Sequence, residues 1–120
     1  MKYLWTTMQV KDLEKSIAFY EEVVGLELDN RIPAGPGAEI AFMRSPGTET
    51  KIELLCRADF AGRNEDIALS LGFATDNLNH KMEELKEKGY AVSDVVSPNP
   101  KTRFFFVKDP DGIDIQFVEE

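Results

Sequence analysis

The chain has 120 residues, of which 42% are hydrophobic and 30% charged, a composition typical of folded globular proteins. Its net charge of -8 at pH 7 disfavours nucleic acid and acidic membranes as partners. The single cysteine, Cys56, excludes an internal disulfide framework and a cysteine-rich metal site. We expect a cytoplasmic protein without a membrane anchor, because no apolar run is long enough to span a membrane and residues 1–10 lack a signal-peptide core.

The first half of the chain, module one (residues 1–57), is predicted to form a strand, a helix and three more strands. Alternation over Lys2–Val10 predicts the first strand, with the parity of Leu4 and Met8 on the core side. Asp12 is expected to cap the helix and Gly25 to end it. Turns rich in Pro and Gly separate the remaining predicted strands, which are Leu26–Ile32, Glu39–Arg44 and Lys51–Cys56.

A polar, aperiodic linker at residues 58–66 precedes module two (residues 67–120), where the order of elements repeats. Asp76 is expected to cap the second helix and Gly89 to end it. Asp76 follows Asp12 by 64 positions and Gly89 follows Gly25 by the same interval, which indicates an internal duplication. The predicted strands of module two are Ala68–Thr75, Tyr90–Ser97, Arg103–Lys108 and Ile113–Glu119, the last two joined by the tight turn Asp109-Pro110-Asp111-Gly112.

Several short motifs resemble those of the vicinal oxygen chelate (VOC) superfamily, which includes glyoxalase I, bleomycin-resistance proteins and extradiol dioxygenases. The motifs are Val10–Tyr20 (VKDLEKSIAFY), Val24-Gly25-Leu26, Ile52-Glu53-Leu54, and Asp109–Gly112 followed by Gln116. The resemblance implies an α+β fold in which two βαβββ modules form an incomplete barrel around a central cleft. It also implies one VOC domain over residues 1–120 and a homodimer.

Metal-dependent members of that superfamily hold their ion with ligands from four strands. The resemblance places the corresponding positions of this chain at Trp5, Glu53, Ser70 and Gln116. A first-row metal site prefers imidazole or carboxylate donors at three or more positions, and only Glu53 provides one. Gln116 is a weak oxygen donor, and the Trp5 indole has no lone pair to give. We therefore expect no metal cofactor, although a weakly held divalent metal remains an alternative.

One parity of the strands carries mixed side chains, while the opposite parity is apolar and should pack on the helices. This mixed parity predicts a ligand-binding set made of Trp5, Thr7, Glu53, Leu55, Ser70, Gly72 and Gln116, with the loop at residues 33–37 as a rim. An indole beside a carboxylate suits flat, neutral or cationic compounds. Lys51 is the cation of the same parity. Arg44 or Arg103, from neighbouring strands, could locally favour anionic compounds such as phosphates instead.

Three residues also have a structural explanation. Glu53 could be a carboxylate paired with Lys51 or Arg103 rather than a binding or catalytic group. Cys56 lies on the apolar parity and is predicted to be a buried thiol. His80 lies opposite the apolar stripe of its helix and is predicted to be solvated, which disfavours a Ser-His or Cys-His catalytic pair.

Two functions follow from these patterns. The first is metal-free binding or sequestration of a small neutral or cationic compound, as the resemblance to bleomycin-resistance proteins implies. The alternative is a glyoxalase-like lyase or isomerase that uses Glu53 as a general base, with or without a weakly held metal.

Overall fold

Each half of the chain folds into a four-stranded sheet with one helical segment. The computed structural model describes residues 1–60 and 66–120, so residues 61–65 of the predicted linker lie outside the described residues. The chain divides into two compact units, Met1–Arg63 and Asn64–Glu120. Within the described ranges, no helix is long and apolar enough to cross a membrane.

The first unit contains a mixed sheet with the strand order β1-β4-β3-β2. Strands β1 and β4 are parallel, and the other neighbours are antiparallel. The helical segment follows β1 and carries the chain to the far edge of the sheet, where β2 begins. The elements are β1 (Trp5–Val10), α1 (Leu13–Phe19), a π-helical turn (Tyr20–Val24), β2 (Glu27–Pro33), β3 (Ala38–Arg44) and β4 (Lys51–Arg57).

The second unit repeats this topology, with the strand order β5-β8-β7-β6 and a parallel pair between β5 and β8. Its elements are β5 (Ser70–Thr75), α2 (Leu78–Glu87), β6 (Val96–Asn99), β7 (Thr102–Lys108) and β8 (Asp114–Glu119). The chain is therefore an α+β protein made of two βαβββ modules, and the predicted duplication is confirmed.

The helix boundaries agree with the sequence prediction at three of four positions. The Asp12 side chain accepts a hydrogen bond from the Lys15 amide, and Gly25 and Gly89 have the positive φ angles that end a helix. The predicted cap at Asp76 is wrong. Asn77 caps α2 instead, with its side-chain oxygen accepting from the His80 amide. The duplicated spacing therefore holds for the helix ends but not for the caps.

The predicted strand Tyr90–Ser97 is also wrong, because β6 covers only Val96–Asn99. Upstream of it, a single bridge joins Val92 to Val107. The Ser93 hydroxyl oxygen accepts the Phe106 amide at 2.8 Å, so a side chain takes the place of a main-chain partner there. A side chain that binds the neighbouring backbone competes with a regular ladder, which is why the strand starts late.

The core lies on the helix side of each sheet, as the alternation predicts, but the expected place of Leu4 in it is wrong, because Leu4 precedes β1 and is 50% exposed. In the first unit, Met8, Val10 and Leu54 are at most 3% exposed, and the Tyr20 hydroxyl lies 4.0 Å from the Met8 sulfur. In the second unit, Ile115 and Phe117 of β8 are equally buried. Because successive strand residues point to opposite sides, the other face of each sheet carries the mixed parity.

The turn between β7 and β8 is organised by the buried carboxylate of Asp109. Its Oδ1 accepts the amides of Asp111 and Ile113, each at 2.9 Å, and Gly112 takes a positive φ of 92°. The Asp109 amide also donates to the Ile113 carbonyl, which closes the hairpin. This turn fixes the register that places Asp114 and Gln116 on the mixed face of β8.

We expect Asp109→Ala to lower the free energy of unfolding by about 2–3 kcal/mol, because two amides lose a charged acceptor in a buried turn. Urea denaturation followed by circular dichroism measures the loss. Asp109→Asn is the matched control, since it keeps an acceptor oxygen, and it should cost about half as much or less. Equal losses for the two variants would show that the acceptor oxygen is not what stabilises the turn.

Candidate ligand-binding site

The first open face is the side of the β1-β4-β3-β2 sheet opposite α1. Register places Thr7 beside Glu53 on neighbouring parallel strands, and Glu53 beside Phe42 on the next strand. Trp5 and Leu55 lie two positions from Thr7 and Glu53 on the same strands, so they share this face. The four predicted site residues of module one thus lie together on one surface.

An aromatic pair forms one part of the first open face. The Trp5 and Phe42 rings make an edge contact with centroids 5.2 Å apart, and the Lys51 ammonium lies 5.6 Å from the Phe42 centroid. Phe42 is covered, at 9% exposed, while Trp5 remains 41% exposed. The contact with Phe42 therefore holds the indole on the sheet and leaves part of its surface for a ligand.

An ion cluster forms the second part of the first open face. Asp29 lies 2.7 Å from the Lys51 ammonium and 3.1 Å from Nε of Arg44. The Arg44 Nε is within ion-pair distance but not aligned for a hydrogen bond, and among the described residues it has no hydrogen-bond partner. The hydrogen bond from Lys51, aided by the charge of Arg44, holds the pKa of Asp29 below its ordinary range.

Sequence reasoning missed Asp29 and Phe42. A register shift in β2 between Leu28 and Asn30 leaves Asp29 as an extra residue, and its carboxylate reaches Lys51 and Arg44 on the first open face. The sequence carries only weak signals of this bulge: strands disfavour the pair Asp29-Asn30, and the pair interrupts the apolar alternation of β2. The parity of Phe42 could have been read from β3, which was predicted, so that omission was avoidable.

Glu53 is held by Thr7, whose hydroxyl donates to the carboxylate oxygen Oε1 at 2.7 Å. The suggested ion pair with Lys51 is not formed, because Lys51 binds Asp29. The suggested pair with Arg103 would join the two units and stays a prediction; within its own unit, Arg103 binds Glu119. A half-buried carboxylate with a hydroxyl partner can accept a hydrogen bond from a ligand or take up a proton.

The second open face is the side of the β5-β8-β7-β6 sheet opposite α2. Register places Ser70 beside Asp114 and Gly72 beside Gln116, so the predicted residues of module two share it. A side chain at position 72 would come within 3.4 Å of the Gln116 amide oxygen, so glycine there leaves that oxygen accessible. Lys108 forms an ion pair of 2.8 Å with Asp114 at the same end of the face.

A cavity of about 450 Å³ adjoins this ion pair in the second unit. Its walls are mainly apolar, and they combine residues of the second open face with the irregular segment before β6. The lining residues are Tyr90, Ala91, Val92, Ser93, Phe106, Val107, Lys108 and Asp114. The late start of β6 is thus associated with a concave surface that alternation alone does not predict.

The family metal positions do not fit a metal. Each unit carries two of them, Trp5 with Glu53 and Ser70 with Gln116, and only Glu53 has a strong donor, which already accepts from Thr7. Over residues 1–60 and 66–120, no cluster of three or more His, Cys, Asp or Glu side chains could hold an ion. The donor set disagrees with the metal chemistry that the resemblance implies.

Three predicted features lie away from the open faces. Cys56 is partly exposed rather than buried; it lies one residue before the end of β4, with its thiol 3.7 Å from the Lys11 carbonyl. The loop at residues 33–37 is tied to the Ala58 amide and borders a separate cavity of about 610 Å³ that Cys56 also lines. His80 is exposed on α2, as predicted.

The repeated βαβββ topology and the open faces define a class of α+β proteins with duplicated modules. A sequence model of the Glyoxalase/Bleomycin resistance protein/Dioxygenase superfamily matches residues 2–117, and the chain belongs to this superfamily. It is 33% identical to YwbC, an uncharacterized protein of Bacillus subtilis (strain 168), over 95% of this chain and 94% of that protein. It is 34% identical to the lactoylglutathione lyase of Salmonella typhimurium, over 99% of this chain and 93% of that protein.

Solved structures have the same fold. Glyoxalase I of Leishmania major superposes with a TM-score of 0.84 at 22% identity, covering 100% of this chain and 87% of that one, and shows the fold. TnmS3, an antibiotic binding protein from Streptomyces sp. CB03234, has a TM-score of 0.74 at 26% identity, with 99% and 95% covered. Enzymes and binding proteins therefore both occur among the similar proteins.

The ion cluster leads to a pH prediction. The Asp29 carboxyl should titrate below 3.8, so the stabilisation it provides is present above that pH and is lost as the pH falls through the lowered pKa. Carbon-detected NMR titration of the carboxyl measures this pKa. Lys51→Met should raise it, whereas Lys2→Met, which removes an exposed partner of Glu49, should not change it. A pKa that is the same in wild type and Lys51→Met would contradict the assigned cause.

Proposed function

We propose that this protein binds a small, flat, neutral or cationic compound on the first open face without a metal ion. The observation that carries the proposal is the partly exposed Trp5 indole on the same face as the Glu53 carboxylate. An indole provides a stacking surface, and a nearby carboxylate favours a positive charge or a hydrogen-bond donor. The likeness to TnmS3, an antibiotic binding protein, supports a binding function.

The charges on this face support the proposed ligand class. Three cations of the described strands have the parity of this face, and each lies against a carboxylate that offsets much of its charge. Lys51 and Arg44 lie against Asp29. Arg57, at the end of β4, lies 3.6 Å from Asp59. Glu53 has a hydroxyl partner instead, so its negative charge is not cancelled locally. A cationic group placed near Glu53 therefore gains more than an anionic group does.

Leu55 lies on the first open face and is part of the proposed site. Ser70, Gly72 and Gln116 lie on the second open face and stay predicted ligand-binding residues. A homodimer stays a prediction that rests on the resemblance to the superfamily.

The alternative function is a lyase or isomerase that uses Glu53 as a general base. The 34% identity to lactoylglutathione lyase of Salmonella typhimurium favours it, and so does the reach of the Glu53 carboxylate onto an open surface. Three of the four family metal positions, Trp5, Ser70 and Gln116, lack a strong metal donor in this chain. In this function Glu53 acts as proton acceptor and donor, with or without a weakly held divalent metal.

Benzamidine, benzamide and benzoate form a matched probe series, because they are planar and similar in size but differ in charge. We expect benzamidine to bind most tightly and benzoate least, with a change in the fluorescence of Trp5, the single tryptophan. Trp5→Ala should weaken benzamidine binding about ten-fold, as measured by amide chemical shifts in NMR titration.

Two control variants separate this site from the rest of the surface. His80→Ala and Cys56→Ser change residues away from the open faces and should leave the benzamidine affinity unchanged. If benzoate binds more tightly than benzamidine, or if Trp5→Ala binds as well as wild type, the proposed site is wrong.

Metal content and activity together distinguish the two functions. We expect purified protein to contain no stoichiometric transition metal and to show little gain in melting temperature with nickel, zinc or manganese. We also expect no lactoylglutathione lyase activity with or without these ions. A rise of several degrees with one metal, abolished by Glu53→Ala, together with lyase activity, would support the enzyme and overturn the metal-free proposal.

A further inference from the structure

We infer that Thr7 is a positioning residue, which fixes the Glu53 carboxylate so that one of its oxygens is presented to a ligand. The inference rests on the proposed function and adds the hydrogen-bonding chemistry of the site. Thr7 and Glu53 are direct neighbours on β1 and β4, and the hydroxyl of Thr7 lies 2.7 Å from Oε1 of Glu53. This distance is typical of a strong hydrogen bond from a hydroxyl to a carboxylate.

Thr7 is suited to hold a flexible side chain. Threonine is β-branched, so a strand restricts its χ1 angle and fixes the direction of its hydroxyl. Glutamate has three rotatable side-chain bonds and, without a partner, would sample several orientations across the sheet. A rigid donor opposite it selects one orientation before any ligand arrives, which reduces the ordering cost of binding.

The geometry assigns different tasks to the two carboxylate oxygens. Oε1 accepts from Thr7, whereas Oε2 has no hydrogen-bond partner among the described residues. An ionised carboxylate only accepts hydrogen bonds, so Oε2 requires an N–H or O–H donor. The exposed Trp5 indole lies two residues before Thr7, on the same face of β1. The site therefore suits a planar group that carries an N–H donor, such as an amidinium or a protonated aromatic amine.

The other half of the face reinforces this assignment. Phe42 lies opposite Glu53 on β3, and its ring makes an edge contact with the Trp5 ring. Lys51 is two positions away on β4 but is engaged by Asp29 at 2.7 Å. Within residues 1–60 and 66–120, Thr7 is thus the hydrogen-bond partner that orients the Glu53 carboxylate.

Side-chain orientation in the ligand-free protein tests the positioning role directly. Three-bond NMR couplings about χ1 of Glu53 should indicate one rotamer in wild type and in Thr7→Ser, which keeps the hydroxyl. Thr7→Val has the same shape without the hydroxyl and retains strand propensity, so it should fold normally and show averaged couplings. Averaged couplings in wild type, or a single rotamer in Thr7→Val, would overturn the inference.

Binding of benzamidine tests the consequence for the ligand. Thr7→Val should bind it about ten-fold more weakly than wild type, while Thr7→Ser should stay within about two-fold. Equal affinity of wild type and Thr7→Val overturns the role of Thr7 in binding but leaves the site itself standing. If wild type does not bind benzamidine, the proposed function fails, and the couplings still decide whether Thr7 positions Glu53.

Discussion

One helix per module covers only one face of each sheet, and the rest of the molecule depends on this constraint. Residues that alternate along a strand must divide between the two faces, so the burial of Met8 and Leu54 under α1 turns Thr7 and Glu53 to the other side. The core thus determines the orientation of the site. Slipping β1 by one residue would bury the Thr7 hydroxyl and expose Met8, which makes this register strongly favoured.

The sequence predicted these faces well because alternation is local and the core is apolar on one parity. The ends of both helices were also predictable, because Gly25 and Gly89 adopt positive φ angles that other residues avoid. Less was predictable where two residues compete for one role. Asp76 and Asn77 are both good helix caps, and only the position of the first turn decides between them.

The ion cluster around Asp29 was not predicted, because it depends on contacts between strands rather than on the pattern of one strand. Asp29 reaches Lys51 and Arg44 because of a bulge in β2, and bulges arise from the fit of two strands rather than from either sequence alone. The same cluster changes the electrostatics of the face. Counting charges by parity leaves Lys51 as a free cation, whereas in the structure Asp29 largely offsets it.

The replacement of metal donors changes what the superfamily fold can do in this chain. A bound cation would polarise an oxygen of its ligand, whereas Trp5 at the corresponding position offers a π surface that attracts cations and flat rings. Glu53 is the one strong donor among the four positions, and its environment suits a role without metal, because Thr7 supplies the hydrogen bond that orients it. The fold alone does not decide between an enzyme and a binding protein. The decision rests on side chains of the open faces, and the aromatic pair and the Glu53 carboxylate are the features that support the proposed binding of a cationic ring.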